Sequence, residues 1–219
     1  MIARYNVETS RRIDTYSKNR IESLTDAIFA FAMTLLVVTI EVPKTLEFPG
    51  QTGVDTIILS VVPDFIHYMV AFALLAGFWW YHHKWSHTLQ SIDQTQALVN
   101  IITLLFVAMV PFTTNLVGNF PFSPHAALIF ELNILIIGLL LVHQWAYLGK
   151  NPQYLNGNID CEQIEQNKKK TLVFPLLSGI GIVLALISVP YSALVYAIAP
   201  VYLWVIIKKG GLVRINTNS

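Results

Sequence analysis

Apolar stretches long enough to cross a membrane recur along this chain and restrict its fold more than any other feature. A bilayer core is about 30 Å thick, so a spanning helix needs about 20 apolar residues. The chain is 54% hydrophobic and 12% charged, whereas soluble domains carry about 25% charged residues. We therefore predict an all-α membrane protein with six transmembrane helices, at residues 24–42, 56–81, 95–117, 126–148, 172–189 and 192–207.

The positions of the basic residues predict how these helices are oriented. Six spans place all 14 Lys and Arg residues except Lys44 on one side of the membrane. Because cytoplasmic loops carry an excess of Lys and Arg, both termini should be cytoplasmic. We expect one domain over residues 1–219, with a cytoplasmic arm at 1–19, a cytoplasmic linker at 151–170 and a cytoplasmic tail at 209–219. The first 23 residues are polar and the next apolar run is too long for a signal-peptide core, so we expect no cleaved signal.

The sequence lacks the motifs of common enzyme classes. It contains no nucleophile elbow, no phosphate-binding Gly-rich loop and no HExxH motif. The single cysteine, Cys161, lies in a polar segment and cannot form an internal disulfide. No loop is long enough to fold as a catalytic domain, so we do not predict an enzyme. A net charge of +1 gives no indication of nucleic-acid binding, and we expect no nucleic-acid partner.

Three histidines near the end of the second span are the best candidates for metal ligands. His83 and His87 are one helical turn apart, and His82 is adjacent. No Cys or carboxylate completes a ligand set before Asp93. We therefore predict hydrogen-bonded histidines at a cytoplasmic helix end, with no metal site and no cofactor.

Acidic residues inside the predicted spans are expensive and point to function. A carboxylate within a membrane helix costs roughly 2.5–3.5 kcal/mol on insertion scales, so it needs a partner or a water-filled path. Asp26 lies near the start of the first span, just after Arg20, and Glu131 lies in the outer half of the fourth. The first span is therefore the first place to look for function.

One face of the first span combines bulky apolar groups with a hydroxyl. Positions i, i+3, i+4 and i+7 share a helix face, which groups Phe31, Thr34, Leu35 and Val38. Such a stripe is typical of a lipid-facing or core surface. Around a symmetry axis, however, the apolar residues would form rings that gate by dewetting, and the hydroxyl would replace part of an ion's water shell. No TVGYG-like segment is present, which excludes the conventional potassium-channel filter.

Three segments of the chain resemble the transmembrane protein 175 family, which comprises the endolysosomal potassium channel and its prokaryotic relatives. Arg20 followed by Leu24-Thr25-Asp26 resembles the family's R-x-x-x-F-S-D signature, and residues 27–37 resemble its first helix. Residues 78–83, FWWYHH, resemble the end of its second helix, and residues 98–114 resemble its third. Leu24 replaces the family's usual Phe, Thr25 replaces Ser, and Phe31 stands where Ile or Leu is usual.

The resemblance implies a modestly potassium-selective cation channel with K⁺ as the permeant ion. It implies a homotetramer in which the first helix lines the pore, with both the lipid bilayer and monovalent cations as partners. The constriction or gate would fall at Phe31, Leu35 and Val38, and the pore hydroxyl at Thr34. The signature residues would hold the helix ends in a polar network comprising Arg20, Thr25, Asp26, His82, His83 and Asn100. A chain with one six-helix unit implies a multi-pass protein of a prokaryotic plasma membrane.

Two other functions remain open from the residues alone. A proton-coupled secondary transporter could use Asp26 or Glu131 as a proton carrier. We find no convincing internal repeat of the kind that transporters often show. A non-conducting membrane scaffold or an intramembrane enzyme is the remaining alternative.

Overall fold

Five helices of the chain are long and apolar enough to cross a membrane, within the part that the structure describes. The computed structural model describes residues 18–40, 54–157 and 161–187. The helices are α1 (Lys18–Leu35), α2 (Val54–Thr88), α3 (Gln94–Asn119), α4 (Pro124–Lys150), α5 (Cys161–Thr171) and α6 (Val173–Ile187). A short 3₁₀ helix, Leu36–Thr39, extends α1, and another, Pro152–Tyr154, follows α4. The five candidate spans are α1 with its 3₁₀ extension, α2 from Ile58, α3, α4, and α5 together with α6.

The predicted sixth span at 192–207 lies outside the described residues, as do residues 1–17 of the predicted arm and the tail at 209–219. Lys44, the one basic residue predicted on the outer side, also lies outside them. The described helices therefore confirm a mainly helical, multi-span architecture. The span number, the sidedness and the position of the termini stay predictions.

Two helices extend beyond the predicted spans because polar residues continue them. α1 begins at Lys18 rather than at residue 24, and α2 runs to Thr88 rather than ending at residue 81. In the extension of α2, His82, Trp85 and Ser86 are buried, so this polar segment has a packed face of its own. Helical amphipathicity, not mean hydropathy, decides where such a helix ends.

The predicted linker at 151–170 was also partly wrong, since α5 occupies its second half. Ile164 and Thr171 are the buried residues of this otherwise polar helix. α5 and α6 form one 27-residue candidate span with a break at Leu172. The break precedes Pro175, which has no N–H to donate to the carbonyl four residues earlier.

Local capping residues fix the starts of α3 and α4. The Asp93 carboxylate accepts a hydrogen bond from the Gln96 N–H at 2.9 Å. The Ser123 hydroxyl accepts from the Ala126 N–H at 3.4 Å, and Pro124 occupies the first helical position. Side-chain oxygens satisfy the free N–H groups of a helix start, and proline is tolerated there because its missing N–H is not needed.

α4 lies at the centre of the described helices, with its most extensive contacts to α3 and α6, while α1 packs mainly on α3. Two buried clusters hold the helices together. The larger joins α1, α2, α3, α4 and α6 through residues such as Phe29, Phe78, Val107 and Phe174. The smaller lies where α2 ends and α3 begins, and contains Trp85, Leu89, Ile92, Ala97, Trp145, Leu148, Tyr154 and Ile164.

The α4–α6 crossing depends on a glycine. A Cβ at Gly138 would lie 2.9 Å from Pro175 Cδ and 3.0 Å from Pro175 N, which is closer than Cβ contacts normally reach. We expect Gly138→Ala to lower the free energy of unfolding by about 1–3 kcal/mol, because the rigid proline ring cannot move aside. Thermal unfolding in detergent measures this loss.

Gly179 of α6 is the matched control. Nothing lies within 4 Å of a Cβ built at this position. Gly179→Ala should be neutral or stabilising, since alanine favours a helix over glycine by about 0.8–1.0 kcal/mol. Equal stability losses in both variants would contradict the close-approach explanation.

Candidate pore face and polar network

α1 has a buried side and an exposed side that are chemically distinct. Thr25, Phe29, Ala32 and Leu36 are buried, and they repeat at intervals of three or four residues. The opposite side carries the predicted constriction residues, which are exposed by 65% at Phe31, 37% at Leu35 and 73% at Val38. In one copy of the protein, the described residues therefore do not cover this face of bulky apolar side chains.

The upper end of this face has a different geometry from the predicted one. We expected a continuous α-helix to residue 42, but the α-helix ends at Leu35 and a 3₁₀ turn covers Leu36–Thr39. Side chains at i and i+3 eclipse one another in a 3₁₀ helix. The tighter turn brings Val38 closer to the angular position of Leu35 than a continuous α-helix would.

Thr34 is exposed on the same face as Phe31 and Leu35. Its hydroxyl donates to the Phe31 carbonyl at 2.8 Å. A hydroxyl oxygen that donates its proton keeps two lone pairs as acceptors. Thr34 can thus present an oxygen, rather than a proton, to a group or ion beside this face.

A hollow of about 450 Å³ lies beside this face. Its lining is entirely apolar and comes almost wholly from α1: Ala27, Ile28, Phe31, Ala32, Leu35 and Ala108. Small residues make the hollow and leave space next to the Phe31 ring. This space is large enough for a bulky side chain to enter.

A chain of buried hydrogen bonds joins α1, α2 and α3 behind the exposed face. The His82 Nε2 lies 2.6 Å from the Asn100 Oδ1, and the Asn100 Nδ2 donates to the Thr25 hydroxyl at 2.9 Å. The Thr25 hydroxyl in turn donates to the Ile21 carbonyl at 2.9 Å. With the amide in this orientation, its oxygen is an acceptor, so His82 must carry its proton on Nε2. All three side chains are at most 3% exposed.

A second, more exposed chain of contacts begins at Asp26. The Trp79 indole N–H donates to the Asp26 Oδ1 at 2.9 Å. The Trp79 ring stacks on His83, with ring centroids 5.1 Å apart and an interplanar angle of 20°. We expected Asp26 to need a partner or a water-filled path, and it has Trp79 as a partner and is exposed beside the buried Thr25. The role of Trp79 was not predicted from the sequence, although Trp79 and His83 are four residues apart and so share a helix face.

Arg20 and Glu131, two residues singled out from the sequence, belong to neither of these hydrogen-bond chains. Arg20 is exposed and makes no hydrogen bond or ion pair with the residues that the structure describes. Glu131 is only 1% exposed and lies against Gly181 of α6. Tyr147, sixteen residues after Glu131 on α4, bonds Asp93 at the start of α3. Glu131 therefore lies about 24 Å along α4 from Tyr147, whereas Asn100 lies only about 10 Å along α3 from Asp93.

The sequence matches a known family over α1, α2 and most of α3, the helices that carry the exposed face of α1 and the two hydrogen-bond chains. The family model described as the endosomal/lysosomal potassium channel TMEM175 matches residues 20–111. A potassium channel of Chamaesiphon minutus is 27% identical over 186 residues, which span 84% of this chain and 91% of the relative. A potassium channel of Streptomyces collinus is 25% identical over 191 residues, spanning 84% and 89%. The endosomal/lysosomal proton channel TMEM175 of Gallus gallus is 22% identical over 165 residues, spanning 75% of this chain and 32% of the relative.

The fold is also similar to solved channel structures. The crystal structure of a lysosomal potassium-selective channel TMEM175 homologue from Chamaesiphon minutus matches with a TM-score of 0.74 and 25% identity. That match covers 85% of this chain and 96% of the other. The crystal structure of a variant of the potassium channel MtTMEM175, in complex with a nanobody fusion protein, matches with a TM-score of 0.56 and 18% identity. This second match covers 91% of this chain and 94% of the other. It supports a similarity of fold and nothing further.

Proposed function

We propose that this chain, which matches the TMEM175 family model over residues 20–111, is a potassium-selective cation channel in which α1 lines the pore of a homotetramer. The observation that carries this proposal is the two-sided nature of α1. One side packs into the chain's own core, and the other exposes Phe31, Thr34, Leu35 and Val38 on a single face. Four copies around an axis would cover that face and place a hydroxyl between apolar rings.

The gate in this proposal works by removing water. Rings of Phe31 and of Leu35, with Val38 above, narrow the conduit until water leaves, and an ion cannot pass without its hydration. The hollow beside Phe31 offers space into which the ring can rotate when the pore opens. The two polar chains fix α1 to α2 and α3 at one end, so the movement is concentrated further along the helix.

Selectivity in this proposal comes from the Thr34 hydroxyls. Their oxygens can replace part of the water shell of a partly dehydrated potassium ion. One ring of hydroxyls offers fewer dipoles than stacked carbonyls do. The selectivity for potassium over sodium should therefore be modest.

We expect Thr34→Val to lower the potassium-to-sodium permeability ratio to about one, because valine keeps the shape and removes the oxygen. The shift in reversal potential under potassium and sodium gradients measures this ratio. Thr39→Val is the matched control. The Thr39 hydroxyl also donates to a carbonyl three residues back, that of Leu36, at 2.7 Å. An unchanged ratio in Thr34→Val, or an equal loss in Thr39→Val, would contradict the assignment.

The rest of the proposal concerns location and topology. The apolar helices make this a multi-pass membrane protein. We place it in the plasma membrane of a prokaryote with both termini in the cytoplasm, as the distribution of Lys and Arg predicts. The partners are then the bilayer, the other subunits and the permeant cation.

A proton-coupled transporter is the second candidate, and the burial of Glu131 favours it. A carboxylate buried in a membrane span is a functional candidate by default. Asp26, however, is exposed on α1 and accepts a hydrogen bond from Trp79, whereas Glu131 is buried against α6, so the two acids belong to different sites. Flux that saturates with potassium and requires a proton gradient would support the transporter. Flux that rises linearly and persists without a gradient supports the channel.

A further inference from the structure

Three metal-ligating side chains meet at the end of α2, outside the proposed pore face. His83 and His87 lie one turn apart, with their Nε2 atoms separated by 3.1 Å. The carboxylate of Glu22 approaches them from α1, and the three ligand atoms lie within 4.8 Å of one another. No metal site was predicted from the sequence because no carboxylate followed the histidines. The carboxylate comes instead from a different helix.

The separation of the two imidazole nitrogens suits a tetrahedral ion. Zinc binds imidazole nitrogen at 2.0–2.1 Å, so two such ligands at the tetrahedral angle are about 3.3 Å apart. The two Nε2 atoms are therefore already within a few tenths of an ångström of this separation. Two His and one carboxylate are also a donor set that zinc uses, with water in the fourth position. Magnesium and calcium prefer oxygen ligands and are disfavoured here.

The cluster is both held in place and open to solution. The His83 ring is fixed by stacking on Trp79, which is itself bonded to Asp26. His83 and Glu22 are half-buried, whereas His87 is exposed. An ion can thus reach the ligands from solution and still find His83 oriented by packing. Such outer contacts orient metal ligands and raise affinity.

We propose that Glu22, His83 and His87 bind a divalent transition-metal ion, with zinc as the best fit, and that this ion joins α1 to α2. The bound ion would lie one helical turn from Asp26, next to the contact between Asp26 and Trp79. It would hold the end of α1 in the arrangement described above. This site requires no ion conduction, so the proposal can fail while the channel proposal stands, and the reverse.

The test uses the full-length protein, purified without a polyhistidine tag, with Zn²⁺ and Co²⁺ as the probes. Calorimetry measures Zn²⁺ affinity, the visible spectrum of Co²⁺ reports its coordination, and thermal unfolding reports stabilisation by the metal. We expect Glu22→Gln and His87→Ala each to weaken Zn²⁺ binding by at least about tenfold. Both variants should also lose the increase in melting temperature that Zn²⁺ gives the unmodified protein.

His125→Ala is the matched control, because His125 is exposed at the start of α4 and belongs to no such cluster among the described residues. It should bind Zn²⁺ as the unmodified protein does. No Zn²⁺ binding by the unmodified protein, or equal binding by all variants, would overturn the site. Weakening by His87→Ala but not by Glu22→Gln would overturn the joining of α1 to α2. Because His87 and Glu22 are not fully buried, gel filtration can establish that both variants are folded.

Discussion

Replacing Phe31 with serine should make the resting channel leak, with potassium flux rising at least about tenfold. A tenfold increase requires the barrier to fall by only about 1.4 kcal/mol. A phenylalanine side chain can bury about 150–250 Å² of surface, and four of them would be removed from one level of the pore. A hydroxyl in each place also allows water to remain there. Single-channel recording of reconstituted protein measures the change as open probability and conductance.

Leu35→Ser tests the next ring, and Leu105→Ser is the control. Leu105 is 59% exposed but lies on α3, away from the α1 face that carries Phe31 and Leu35. It should leave the resting flux unchanged. The larger increase of the two pore variants identifies the narrower ring. Unchanged flux in both Phe31→Ser and Leu35→Ser would remove α1 from the proposed gate.

The exposed face of α1 could be predicted because it depends only on helix periodicity. The spacing of Phe31, Thr34 and Leu35 places them together in any α-helix, whatever surrounds it. The change to a 3₁₀ helix after Leu35 could not be predicted from this spacing. It depends on the local backbone, and apolar β-branched residues such as Val37 and Val38 are compatible with either geometry.

The helix ends were harder to predict than the spans because they are defined by tertiary contacts. A polar segment such as residues 82–88 is expected to leave the membrane, and it gives no hydropathy signal for a helix. Burial of Trp85 in the smaller cluster stabilises this turn of α2. The same cluster contains Ile164, which explains why the polar segment 161–171 is helical.

The polar residues were partly predicted by resemblance, but their partners were not. His82, Asn100 and Thr25 were expected in one network, and they form one chain of hydrogen bonds. Trp79 and Glu22 were missed because their contacts join residues far apart in sequence. A tryptophan near a membrane surface is usually an anchor, so its type alone does not indicate that it bonds a carboxylate.

The hydrogen-bond chain through Asn100 carries the second large prediction. Asn100→Ala should lower the free energy of unfolding by about 2–5 kcal/mol, since each buried polar group left without a partner costs about 1–3 kcal/mol. His82 on α2 and Thr25 on α1 both lose their contact with α3. Thermal unfolding in detergent measures the loss. Asn119→Ala is the control, because Asn119 is exposed and its amide bonds only the Asn115 side chain among the described residues, at 3.0 Å.

A double-mutant cycle distinguishes the bond from a general packing defect at Asn100. Thr25→Val keeps the shape of the side chain and removes the hydroxyl that accepts from Asn100. Directly bonded residues show coupling of about 0.5–3 kcal/mol, whereas separate sites are additive to within about 0.5 kcal/mol. The combined variant should therefore lose less stability than the sum of the two single losses. Strict additivity would mean that the Asn100–Thr25 bond does not hold α1 to α3. The packing of α1 on α3 would then have to rest on its apolar stripe of Phe29, Ala32 and Leu36.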